Sequence, residues 1–164
     1  MTVTYANAVT AFRLLLLAQF VYLAHAGHVG LSALAFTLAW GLDAVDGLVA
    51  RWRQQVTPFG YVFDKAVDRL VLVGSLFVLV VEGLVPLWSL LLLTKDVLVI
   101  PVVVRRRMAG LALHDLGAAG KAAAVLQGAV LLWVLAGWPY GLVFSVVVAL
   151  VGAFVAYQYT RRAW

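Results

Sequence analysis

Four of the seven acidic residues in this 164-residue chain fall between Asp43 and Asp68, in the stretch DAVDGLVARWRQQVTPFGYVFDKAVD. It joins two segments apolar enough to cross a bilayer, where an aspartate near mid-depth costs about 2.5–3.5 kcal/mol on insertion scales. Several carboxylates together also repel one another, so such a cluster needs compensation, and divalent metal supplies it. Asp43, Asp46, Gly47 and Ala50 are related by i, i+3, i+4 and i+7 and share one helical face. Gly60, Asp64 and Asp68 step by four along the next helix. Thr57 and Pro58 lie in the stretch between, which is long enough to reverse the chain. An antiparallel hairpin of helices two and three then brings the four carboxylates together near one membrane surface. Gly47 and Gly60 leave room for a ligand beside the backbone. An all-oxygen donor set suits Mg²⁺, Mn²⁺ or Ca²⁺ rather than zinc, and the chain has no cysteine.

The pattern D-x2-D-G-x2-A-R-x8-G-x3-D-x3-D resembles the signature of the CDP-alcohol phosphotransferase family. Asp43, Asp46, Gly47, Ala50, Arg51, Gly60, Asp64 and Asp68 fill its fixed positions. The resemblance implies that two ions, Mg²⁺ or Mn²⁺, are held by the four aspartates. Asp43 and Asp64 would bridge them, Asp46 would complete one site, and Asp68 would reach the other. It also implies that Asp68 is the catalytic base and that Gly47, Arg51, Thr57 and Gly60 hold the cytidine diphosphate portion of the donor. Buried ion pairs with Lys65, Arg69 or Lys95 would explain the charges, but neither the glycines nor the four-residue rhythm.

The elements that must position these residues follow from composition. The chain is 65% hydrophobic with a mean hydropathy of +1.04, beyond the range of soluble domains. Six spans of about twenty residues use roughly 120 positions, so the expected fold is an all-α integral membrane domain of six transmembrane helices. A single domain is expected over residues 1–164. The net charge of +5 does not point to nucleic acid, because the basic residues follow membrane topology. With residues 9–26 as a first span starting inside, every Lys and Arg except Lys95 falls in cytoplasmic segments or the adjoining helix ends. The opposite loops, about 27–30, 82–87 and 137–140, contain no Lys or Arg. By the positive-inside rule both termini and the aspartates are cytoplasmic, in a plasma or inner membrane. Trp52, Trp88, Trp138 and Trp164 lie near span ends, as an aromatic belt would place them.

Before the first apolar run, Asn7, Thr10 and Arg13 form a polar stripe stepping by three. It is similar to an N-x2-T-x2-R motif of the family and is read as a lipid-headgroup site or as a helix cap with a topology anchor. Ala24-His25-Ala26 after that run has the form of a leader cleavage site, but the resemblance extends through the segment and favours a first span. His25 and His28 are read as loop bystanders. Span four, about 86–104, carries Lys95 and Asp96 near mid-depth, where charges face protein or a water-filled cavity. Relatives place a basic–acidic pair there. Pro101 should kink this helix toward its end. Arg105-Arg106-Arg107 form a topology anchor or a phosphate pocket. Gly120, Lys121 and Gln127 match a G-K-x-K-T-x2-Q pattern of the family's phosphatidylglycerophosphate synthases, with Ala123 and Ala124 in place of its second Lys and its Thr.

The implied reaction is transfer of a phosphatidyl group from CDP-diacylglycerol to an alcohol, releasing CMP. Glycerol 3-phosphate is the first expectation for the alcohol and inositol phosphate its rival, with Lys95, Arg105 and Lys121 as candidate acceptor contacts. Family resemblance also implies a homodimer. An ion-relaying transporter would spread ionisable groups through the bilayer, whereas here only Lys95 and Asp96 lie deep. A prenyltransferase would need a larger helical bundle.

Overall fold

In a bilayer only helices and closed barrels satisfy every backbone N–H and C=O. The computed structural model describes the backbone of residues 5–53, 66–110 and 117–162, and their side chains except at 5–8, 43–53, 107 and 162. Regular structure among the described residues is entirely helical and forms the six expected helices. α1 is Tyr5–His25 and α2 is Val29–Arg53. α3 covers residues 66–81, with Leu70–Gly74 wound as a π turn and Ser75–Val81 as regular α-helix. α4 covers residues 87–108, where a 3₁₀ stretch, Leu87–Leu93, feeds the α-helix Thr94–Met108. α5 is Gly117–Leu135 and α6 is Gly141–Arg162. α4 continues through Pro101 to Met108.

Leu87–Arg106, Gly117–Leu135 and Gly141–Arg161 are long and apolar enough to cross a membrane. Val9–His25 and Val29–Leu42 are shorter apolar stretches inside helices of 21 and 25 residues. Those helices rise about 31 and 37 Å, enough for a hydrocarbon core of about 30 Å. Large apolar side chains such as Leu15, Phe77, Leu150 and Phe154 point outward, as a lipid-facing surface requires.

The helices gather into two compact units, Met1–Val85 and Pro86–Trp164. In the first, α1 packs along α2, and buried Phe20 and Phe36 meet at 6.2 Å between ring centroids. Val71, Leu72, Leu76 and Leu79 supply the buried face of α3. In the second, Val99 of α4 packs with Ala156 and Tyr159 of α6, flanked by Val102 and Val103. Gly152 brings α6 onto α4, since a Cβ there would stand 3.0 Å from the Lys95 Cβ and 3.1 Å from its backbone nitrogen. Gly152 and Ala156 are a small-xxx-small pair, the spacing that lets membrane helices approach closely.

The loops without Lys or Arg start with the same helix stop. After α1, Gly27 (φ 75°) donates to the Ala24 carbonyl at 3.0 Å and His28 to the Leu23 carbonyl at 2.9 Å. This left-handed cap satisfies the last carbonyls of the helix and turns the chain. It recurs after α3 at Gly83 and after α5 at Gly137. His25 is the last residue of α1, and its ring Nδ1 lies 3.1 Å from Glu82 Oε1 at the end of α3.

Candidate functional site

α2 is an unbroken helix through Asp43, Asp46, Gly47, Ala50 and Arg51, so their i, i+3, i+4 and i+7 spacing is realised in the backbone as one face. The side chains of Asp43, Asp46 and Arg51 lie outside the described residues, as do Thr57, Gly60 and Asp64 entirely. Asp68 is the motif carboxylate whose surroundings are described. It sits at the start of α3, ahead of the π turn, with its side chain 30% exposed.

Among the described residues, α1 supplies a partner for Asp68. Arg13 is 1% exposed, and its guanidinium Nη1 donates to Asp68 Oδ1 at 2.7 Å. Its Nε donates to the Ala39 carbonyl of α2 at 2.9 Å. A buried guanidinium must be paired to offset its desolvation, and charge-assisted hydrogen bonds of this length are the strong kind. The planar fork of arginine lets two N–H groups address two helices at once. Thr10, one turn before Arg13, is also buried. Asn7 lies on the described backbone of α1, with its side chain outside the description. The polar stripe read from the sequence as headgroup site or anchor therefore turns two of its members into the helix packing.

In the second unit, Lys95 and Asp96 are 1% and 3% exposed. Gln127 of α5, itself 1% exposed, donates from Nε2 to Asp96 Oδ2 at 2.9 Å and to the Leu92 carbonyl. One amide thus fixes the carboxylate and also satisfies a carbonyl of the 3₁₀ stretch. Among the described residues the Gln127 Oε1 is buried with no hydrogen-bond partner. Arg105, in the last turn of α4, and Lys121, in α5, are exposed.

The structure thus brings Arg13 together with Asp68, and Gln127 together with Asp96. Sequence reasoning placed Gln127 in a motif without giving it this partner. It did not single out Gly152, although the small-xxx-small spacing was a usable signal. Among the described residues no three His, Cys, Asp or Glu side chains converge on a common point, and three of the four motif carboxylates fall outside those residues. The donor set is all carboxylate, two of its members stand one turn apart on α2, and a third is held in place by Arg13. That chemistry fits a hard divalent cation.

A sequence profile described as CDP-alcohol phosphatidyltransferase matches residues 3–158. A protein of Mycobacterium bovis named "Putative cardiolipin synthase" is 40% identical over 100 residues, covering 58% of this chain and 46% of the relative. Proteins of the same name from two Mycobacterium tuberculosis strains match to the same extent. The chain therefore spans about half the length of the curated relatives it matches. Their shared name differs from the phosphatidylglycerophosphate synthase pattern that the Gly120–Gln127 segment partly fills.

Proposed function

The chain belongs to the CDP-alcohol phosphatidyltransferase family, and from that premise we propose that it transfers a phosphatidyl group from CDP-diacylglycerol to an alcohol, with release of CMP. The observation that carries this reading is the first half of the motif, Asp43 to Arg51, on a continuous α2, with its last carboxylate, Asp68 of α3, held by Arg13 of α1. Asp43, Asp46, Asp64 and Asp68 would hold two Mg²⁺ or Mn²⁺ ions, which when bound supply charge neutralisation at the phosphoryl oxygens. Asp68 accepts the proton of the attacking hydroxyl. The hydroxyl oxygen forms a bond to the phosphorus of the phosphatidyl group, and the bond from that phosphorus to the CMP oxygen breaks. CMP leaves with the electron pair. Gly47 and Gly60 leave space for the cytidine diphosphate, Thr57 helps to hold it, and Arg51 pairs with a phosphate oxygen. The acyl chains remain in the bilayer while the headgroup meets the aspartates at the cytoplasmic face.

The acceptor is a glycerol that carries a phosphate. Glycerol 3-phosphate, the first reading, suits the exposed Arg105 and Lys121, which would meet a free phosphate monoester. The name of the mycobacterial relatives favours a second reading, in which the hydroxyl belongs to phosphatidylglycerol and the product is cardiolipin. Purified protein given CDP-diacylglycerol, Mg²⁺ or Mn²⁺ and a panel of alcohols tests both. We expect CMP release with one glycerol phosphate, its arrest by EDTA and its recovery on adding metal. Mass spectrometry of the lipid product names the acceptor. No CMP with any alcohol, from folded protein, would overturn the reaction.

A further inference from the structure

We propose that Arg13 is a positioning residue for Asp68, a clamp that sets the far end of the acidic motif against its near end. This rests on the reaction proposed above and goes beyond it. The Ala39 carbonyl that receives Nε is four residues before Asp43. In the α-helical ladder it is the carbonyl paired with the Asp43 amide. The same guanidinium donates to Asp68 Oδ1. Arg13 therefore touches α2 at the turn that starts the motif and α3 at the residue that ends it. Asp43 and Asp68 lie on different helices, 25 residues apart in the sequence, and a hydroxyl proton is transferred only across hydrogen-bond distance. A fixed link between the two helices sets that distance without contacting the substrate. Near-complete burial of Arg13 argues against a headgroup contact, because a group that receives a lipid phosphate must be open to it.

The chain has no cysteine, so spin labels can be placed at will. Leu38 on α2 and Leu70 on α3 are exposed and flank the two contacts. The full-length L38C/L70C protein in lipid nanodiscs should give one narrow label-to-label distance, and adding Arg13→Gln should broaden it. In kinetics, Arg13→Gln should lower kcat about 10–100-fold, the usual effect of losing a group that orients a metal ligand. KM for CDP-diacylglycerol should stay within about threefold, since no ground-state contact is lost. Arg13→Lys, which keeps the charge but not the fork, should recover part of kcat. A raised KM with kcat intact would make Arg13 a substrate-binding group and overturn the proposal. So would an unchanged distance together with unchanged kcat. If Arg13→Gln does not fold, Arg13→Lys decides by the same two readouts. If the wild-type protein releases no CMP, the reaction fails and the label distance alone decides whether the clamp exists.

Discussion

In the first unit a guanidinium meets a carboxylate 55 residues away in sequence, at a part-exposed end of a helix. In the second a carboxylate meets a neutral amide 31 residues away, in full burial. The difference in exposure bears on what each carboxylate can do. Asp68 keeps access to the outside, which the proton acceptor proposed above requires. Asp96 is enclosed, and its amide partner also ties down the Leu92 carbonyl where 3₁₀ winding gives way to α-helix. The first arrangement has the form of a working site and the second that of a packing node.

Four substitutions would break or sharpen this contrast. Asp68→Asn carries the largest effect: turnover should fall by about 10²–10⁴-fold, the range for loss of a general base. Binding of CDP-diacylglycerol, followed by titration of a fluorescent analogue, should persist. Gly152→Val comes next, because its side chain would press on the Lys95 backbone. It should cost about 1–3 kcal/mol, as overpacking does, read from reversible unfolding in mixed micelles. Gln127→Leu should destabilise by about 1 kcal/mol in the same assay, near the upper range of membrane hydrogen bonds. A node of packing alone would leave KM for the acceptor alcohol unchanged in this variant, whereas a rise in that KM would move Lys95 and Asp96 into the acceptor site. His25→Ala should change stability by less than about 1 kcal/mol, because its bond to Glu82 is largely exposed.

Hydropathy made the number of helices legible, and the acidic motif made the face of α2 legible before any coordinates. The partner of Arg13 was not legible. A stripe at i, i+3, i+6 shows that Thr10 and Arg13 share a side, but which distant carboxylate lies opposite is decided by how α1 packs on α2 and α3. Gln127 was hidden in the same way, since its acceptors belong to another helix. The winding of Leu70–Gly74 and Leu87–Leu93 carried no signal either, because those apolar runs look identical under any helical pitch. Span four, expected to end near residue 104, runs on to Met108.

The π turn of α3 has a bearing on which way the two ends of this helix face. Adding one residue to a helical turn rotates everything after it by about 100°. Asp68 stands before Leu70–Gly74, and Leu76 and Leu79 stand after it. The π turn thus offsets the azimuth of Asp68 from that of Leu76 and Leu79, so the two ends of α3 face in directions that an unbroken α-helix of the same sequence would not give.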